Sequence, residues 1–253
     1  AGIPTLAEYL PLTDVRMKAH IDRDIREIEI FMVEGAYEAA KDYYLYGWNT
    51  FFSLSELAQN AYSPETPPEF NLFQDYYNTP NFAEDTILNT MGLEQPFENA
   101  SIEQRAAIVV GTLQTVVMYL STLAELDSAI AACEVTGNSE SDILEHWDGG
   151  AAFYIGSSEG QLPGGRKGGQ LLYRLAKEFC GAFGTCTSLD ANVNTVVQGA
   201  LADGRDALAV GRCDLAQILL DTTIRPSLVV PLIQGTLFYS AQSVDLPAGT
   251  ASG

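Results

Sequence analysis

The chain has 253 residues, 47% of them apolar, and a formal net charge of -20 at neutral pH. The apolar fraction is enough for a substantial core and excludes wholesale disorder. The negative charge excludes nucleic acid as a partner, because phosphate backbones are bound by Lys and Arg, and it disfavours anionic membrane surfaces. It attracts cations, although an acidic coat that only keeps an extracellular protein soluble explains the composition as well.

Helical periodicity dominates the N-terminal hundred residues, and strand alternation is scarce. The first helical pattern runs from Leu12 to about Tyr46. A shorter pattern covers residues 51–61, and a loop with three prolines follows at 63–70. Short helical pieces are predicted over residues 70–95.

The second part of the chain continues the helical pattern. Ser101 opens a capping box, which predicts a long helix through about Cys133. Ser139 or Ser141 caps the next helix, and a Gly-rich basic loop follows at 161–169. Further helices are predicted over 170–179, 190–211 and 214–242, the last bent at Pro226 and Pro231.

These elements predict an all-α fold of long antiparallel helices packed as one or two bundles. The segments Ile108–Leu113 and Leu232–Leu237 have weakly similar sequences, which suggests a duplicated helical unit. We expect a single domain over 1–246 and a disordered tail at 247–253. The two possible halves of the domain are 1–98 and 99–246. No apolar run approaches the roughly 20 residues of a membrane helix, so direct membrane insertion is not expected.

Four cysteines suit two disulfides in an oxidising compartment. The preferred pairing is Cys180–Cys186 with Cys133–Cys213, although three pairings are possible and four buried thiols are the alternative. Asn99 begins an N-x-S glycosylation sequence. These features predict a secreted protein of the periplasmic space or cell surface. The sequence begins at Ala1 without a basic and apolar leader, and we interpret it as a mature form whose leader has been removed or is not included.

The richest group of candidate metal ligands lies in one helical segment. Glu145, His146, Asp148 and Tyr154 offer carboxylate, imidazole and phenol groups, which suit a hard cation such as ferric iron. Glu145 and Asp148 share a helix face, whereas His146 is rotated by about 100° from Glu145. The ligands therefore require either a helix break at Gly149-Gly150 or partners from another helix. A simpler explanation of Glu145 and Asp148 is that acidic residues are favoured near a helix N-terminus.

Two further groups of residues complete the candidate site. His20 and Glu34 border the apolar stripe of the first long helix and are secondary metal ligands, while residues 22–29 between them suit a solvated face. Arg166 and Lys167 in the basic loop could neutralise a bound anion, although a solvated turn explains them more simply.

Several blocks of sequence, taken in order, resemble one protein family. They are Trp147–Gly160, Leu171–Tyr173, Cys180–Cys186, Gly211–Cys213 and Val230–Leu237. This order of blocks resembles the algal iron-assimilating proteins, which are low-iron-induced secreted proteins grouped with the phytotransferrins. The resemblance implies capture of ferric iron at the cell surface or in the periplasm, with carbonate as the synergistic anion.

The predicted function is therefore ferric-iron binding for high-affinity uptake, with (bi)carbonate and a membrane uptake machinery as partners. The alternatives are a metal-dependent enzyme, such as a ferroxidase or a carbonate-handling enzyme, and an acidic structural or interaction protein of the cell surface. Phosphate-binding loops, zinc-protease motifs and nucleophile elbows are all absent from the sequence. This absence favours a binding protein over an enzyme.

Overall fold

The computed structural model describes residues 5–60, 62–135, 137–159, 168–187 and 190–244, with side chains up to residue 241. Within these ranges the regular structure is helical, and the only extended pairings are two isolated bridges. The all-α class is confirmed. The α-helices are Arg16–Ala19 (α1), Ile21–Glu34 (α2), Tyr37–Tyr46 (α3), Leu54–Ala58 (α4), Pro68–Tyr77 (α5), Phe82–Gly92 (α6), Ile102–Thr112 (α7), Met118–Glu134 (α8), Glu140–Ile155 (α9), Leu172–Phe183 (α10), Asn192–Ala209 (α11), Cys213–Leu219 (α12) and Arg225–Val244 (α13).

The first predicted helix is divided into three. His20 separates the short helix α1 from α2, and Gly35 ends α2 in the left-handed conformation, with φ of 74°. Glycine adopts this conformation at no steric cost, so the chain turns before α3 begins. The prediction of one continuous helix from Leu12 to Tyr46 is therefore wrong at Gly35.

The long helix predicted after Ser101 is confirmed. Ser101 and Gln104 form the expected reciprocal capping box at the start of α7. A π-helical segment, Leu113–Val117, joins α7 to α8 without a break. Most of α8 is buried, and α9 packs along it after a short connection. Another π-helical segment, Leu220–Ile224, joins α12 to α13.

The main hydrophobic core draws side chains from Leu6 to Leu228. Trp147 on α9 is completely buried, and its indole N–H donates to the Leu201 carbonyl at 2.8 Å. Gly204 on α11 leaves room for this ring, because a Cβ there would lie 2.1 Å from it. Helices α9 and α11 are therefore in direct contact at Trp147.

Two helical stretches, Ile102–Glu134 and Cys213–Ala241, are long and apolar enough to cross a membrane. The first is mostly buried in the core of the protein, whereas the second is mostly exposed. Both join two helices through a π segment, and Pro231 lies inside the second without ending it. The expectation that no stretch reaches this length is corrected, but apolar core helices of soluble proteins pass the same test.

Both preferred disulfides are present. Cys133 at the end of α8 is bonded to Cys213 at the start of α12, and Cys180–Cys186 closes the loop after α10. The described chain has no free cysteine. Two disulfides are compatible with an extracellular protein. Asn99 is exposed in the loop before α7, and its glycosylation stays a prediction. The expected disordered tail lies outside the described residues.

Arg225 links three helical segments, because its single positive charge contacts three carboxylates. Its guanidinium lies 2.7 Å from Glu69 on α5, 2.5 Å from Asp127 on α8 and 3.5 Å from Asp221. Burial raises the pKa of Asp127 to about 6 from the usual 3.8, since the Arg225 charge offsets burial only in part and Glu69 and Asp221 add repulsion.

Because this pKa is raised, the folded protein takes up a proton at Asp127 before the unfolded chain does. The stability contributed by Asp127 should therefore increase as the pH falls from about 7 to about 4. We expect the free energy of unfolding of wild type to rise relative to that of Asp127→Asn over this range. Urea denaturation of both proteins measures the difference, and a constant difference contradicts the prediction.

Candidate functional site

Helix α9 carries most of the predicted ligands and is continuous through Gly149 and Gly150. A Cβ at Gly149 would lie 2.6 Å from Glu125 Oε2, and a Cβ at Gly150 would lie 2.7 Å from the Leu126 side chain. The two glycines therefore allow α9 to pack closely against α8. Of the two alternatives that the sequence left open, the helix break is not observed, because the lack of side chains at these positions allows close helix packing instead.

A buried polar cluster lies where this close packing meets α1. Glu125 on α8 is 1% exposed, and its Oε2 accepts a hydrogen bond from Lys18 Nζ at 2.7 Å. The same oxygen lies 3.2 Å from His146 Nδ1. Ser63 Oγ donates to the other carboxylate oxygen at 2.7 Å. The Glu125 carboxylate is thus surrounded by a cation, an imidazole and a hydroxyl.

The cluster reaches solvent on one side. The His146 side chain is 28% exposed, whereas Lys18 is 9% exposed. Lys18 Nζ also lies 5.7 Å from the centroid of the Tyr62 ring. An ion from solution would therefore meet the imidazole before the carboxylate.

Electrostatics keep Glu125 ionised in spite of its burial. Burial alone would raise the pKa of this carboxyl, but the hydrogen bond from His146 and the charge of Lys18 lower it below the usual value. Burial raises the pKa of the nearby Tyr62 phenol, and the charges of Glu125 and Glu145 raise it further. The cluster therefore holds a permanent carboxylate beside a neutral phenol at neutral pH.

Of the predicted ligands, only His146 contacts this carboxylate. Glu145 precedes it on α9 and has an exposed side chain, and its carbonyl oxygen lies 3.4 Å from Lys18 Nζ. Glu145 therefore borders the cluster through its backbone, and its side chain is exposed to solvent.

Asp148 is completely buried and points to a different part of the fold. Its Oδ1 accepts a hydrogen bond from Tyr9 at 2.5 Å. Its Oδ2 accepts three more at 2.8 Å, from the Leu12 N–H, the Thr13 N–H and the Thr13 hydroxyl. These four bonds fasten the segment before α1 to α9. The side chain expected beside Glu145 is therefore used to hold the N-terminal segment.

The remaining predicted ligands are also apart from the cluster. Tyr154 is fully buried two turns further along α9, and its hydroxyl donates to Asn194 Oδ1 at 2.6 Å. His20 lies at the junction of α1 and α2, and Glu34 is exposed at the end of α2. Arg166 and Lys167, the predicted anion contacts, lie outside the described residues.

Convergence of the predicted residues on one metal ion is thus not observed. In the part of the chain that the structure describes, no three His, Cys, Asp or Glu side chains form a group that could hold a metal ion. Periodicity placed Glu145 and Asp148 on one helix face, but their side chains have separate surroundings.

Sequence reasoning did not select Lys18, Tyr62, Ser63 or Glu125 as site residues. A signal for Glu125 was present, because it and Asp127 are carboxylates inside the otherwise apolar run of α8. Lys18 carried no such signal, since a lysine in a short helix is usually solvated.

Comparison of the chain with protein-family models, with characterised proteins and with solved structures found no match. The likeness to the iron-assimilating proteins therefore remains a resemblance between blocks of sequence.

Alanine at Gly149 should disturb this cluster directly. The added methyl group would displace Lys18 and Glu125, and we expect a net loss of about 1–2 kcal/mol in the free energy of unfolding after the gain in helix propensity. Gly111 is a matched control, because it is a helical glycine with open space around its Cβ position. Gly111→Ala should stabilise the protein by about 0.5–1 kcal/mol. Equal effects of the two substitutions in chemical denaturation would contradict this assignment.

Proposed function

We propose that the protein binds ferric iron, together with (bi)carbonate, as the capture step of iron uptake at the cell surface or in the periplasm. The contact between the Glu125 carboxylate and the His146 imidazole, which is open to solvent at His146, carries the proposal. Carboxylate oxygen and imidazole nitrogen are both established ligands of iron in proteins.

Two neighbouring residues can complete the ligand set. Glu145 has an exposed carboxylate one residue before His146, and Tyr62 supplies a phenol in the electrostatic field of Glu125. These are the same ligand types that the sequence predicts for a ferric site: Glu145 is one of the predicted residues, and Tyr62 supplies the phenol in place of Tyr154. Binding would require Glu145 to turn inward and the Tyr62 phenol to release its proton to solvent as the phenolate oxygen binds the metal.

Charge and covalent structure support a role outside the cell. The net charge of -20 attracts cations to the surface, and two disulfides suit an oxidising compartment. Carbonate enters the proposal through the resemblance, with Arg166 and Lys167 as its proposed counter-charges. Delivery to a membrane uptake machinery completes the proposed role.

Titration of the metal-free protein with ferric nitrilotriacetate, with and without bicarbonate, tests the proposal. We expect saturation at a single equivalent, tighter binding with bicarbonate, and a visible tyrosinate-to-iron absorption band. The two histidines provide matched variants. His146→Ala should weaken binding at least about tenfold, whereas His20→Ala should leave it unchanged. Absence of stoichiometric binding by wild type would contradict the proposed function and leave the acidic interaction protein as the alternative.

A further inference from the structure

The ammonium group of Lys18 occupies a position with the surroundings of a bound cation. It lies 2.7 Å from a Glu125 carboxylate oxygen and 3.4 Å from the Glu145 carbonyl oxygen, with the Tyr62 ring 5.7 Å away. The side chain is 9% exposed. Oxygen donors and an aromatic face thus surround a positive charge that is nearly excluded from water.

The packing of α9 is adapted to this lysine. The absence of a side chain at Gly149 leaves the space that Lys18 fills, since a Cβ there would lie 2.7 Å from Nζ and 2.9 Å from Cδ. Removing the ammonium would leave Glu125 as a buried carboxylate without its cation, which is strongly unfavourable. The metal-free fold therefore depends on a positive charge at this point.

We propose that Lys18 is an internal competitor of the captured metal ion: its ammonium fills the cation site in the metal-free protein and must leave Glu125 when iron binds. This inference rests on the proposed function and concerns the regulation of the same site. Lys18 is a positioning residue here, because it acts on the metal through Glu125.

Competition of this kind leaves detectable binding only to ions that interact strongly with the carboxylate. A metal binds only if its interaction energy with the site exceeds the cost of breaking the contact between Lys18 and Glu125. Ferric iron interacts with a carboxylate more strongly than a divalent ion does at the same distance, because the Coulomb energy scales with charge. Lys18 therefore lowers the affinity for all cations and excludes the weaker ones.

The test uses Lys18→Met, which keeps much of the stem of the side chain and removes its charge. We expect Lys18→Met to bind ferric iron at least about tenfold more tightly than wild type and to bind zinc measurably, because the cost of displacing the ammonium is removed for both ions. Its melting temperature should be lower than that of wild type without metal, and iron should raise it by a larger increment than in wild type.

Lys177→Met is the matched control. Lys177 lies 3.4 Å from the buried Glu159, so it is a second largely buried Lys–Glu pair, with Lys177 13% exposed and Glu159 0% exposed. This control should lose stability without any gain in iron affinity. Lys18→Arg, which keeps the charge, provides a second variant if Lys18→Met does not fold, and it should bind iron no more tightly than wild type.

The outcomes separate the two proposals. If wild type binds iron and Lys18→Met binds no more tightly, the competition is wrong while the proposed function stands. If folded Lys18→Arg binds more tightly than wild type, charge competition is likewise wrong. If neither wild type nor a folded Lys18 variant binds iron, both the proposed function and the competition are overturned.

Discussion

Replacing Glu125 by glutamine is expected to lower the free energy of unfolding by about 3 kcal/mol and to weaken ferric-iron binding by about 100-fold or more. The substitution leaves Lys18 as a buried ammonium without its counter-charge. The loss should be at the lower end of the range for broken buried ion pairs, because the glutamine amide still accepts one hydrogen bond. Urea denaturation of the metal-free protein measures the first effect, and iron titration measures the second.

Glu159→Gln is the matched control for this prediction. Glu159 is also a buried carboxylate paired with a lysine, Lys177, but it is outside the cluster around Glu125. Burial raises the pKa of Glu159, and Lys177 offsets this only in part, so its charge adds less stability than that of Glu125. We expect Glu159→Gln to retain full iron affinity. Iron binding by Glu125→Gln with wild-type affinity would show that the cluster is structural only.

Replacing Asp148 by alanine should destabilise the protein by about 3 kcal/mol or more and leave the iron affinity of the folded protein unchanged. Four donors from Tyr9, Leu12 and Thr13 lose their charged acceptor, and each buried donor left unpaired costs about 1–3 kcal/mol. Partial solvation of the freed segment before α1 reduces the sum. Denaturation in urea and iron titration below the melting temperature give the two values.

Asp148→Asn separates the charge from the hydrogen bonding. The amide keeps one acceptor oxygen and directs an N–H₂ group at donors, so we expect about half of the loss seen with alanine. Thr13→Val removes only the hydroxyl contact and should cost about 1 kcal/mol. A loss of iron affinity in folded Asp148→Asn comparable to that in Glu125→Gln would place Asp148 in the metal site after all.

Features set by local sequence could be predicted from the chain alone. The capping box at Ser101 fixed the start of the long helix, and helical periodicity gave the all-α class. The disulfide Cys180–Cys186 followed from a short Gly-containing loop, and Cys133–Cys213 followed as the remaining pair. In each case the interacting groups are close in sequence or few in number.

The site could not be predicted because its contacts join distant parts of the chain. Lys18 and Glu125 are 107 positions apart, and neither Lys18 nor its helix carries a motif. Gly149-Gly150 fits both a helix break and a close approach of two helices, and only the position of Glu125 on α8 decides between them. Aspartate is a common metal ligand, but both carboxylate oxygens of Asp148 accept hydrogen bonds from donors that lie 135 or more positions away in the sequence.

The central claim is that iron binds between Glu125 and His146, and an anomalous difference map at the iron edge tests it most directly. Crystals of the wild-type protein grown with ferric iron and bicarbonate are predicted to show one strong peak at about 2 Å from a Glu125 oxygen and a His146 nitrogen. The Lys18 ammonium should have moved away from Glu125. A peak at Asp148 or Tyr154 instead, or no peak in iron-saturated crystals, would contradict the claim.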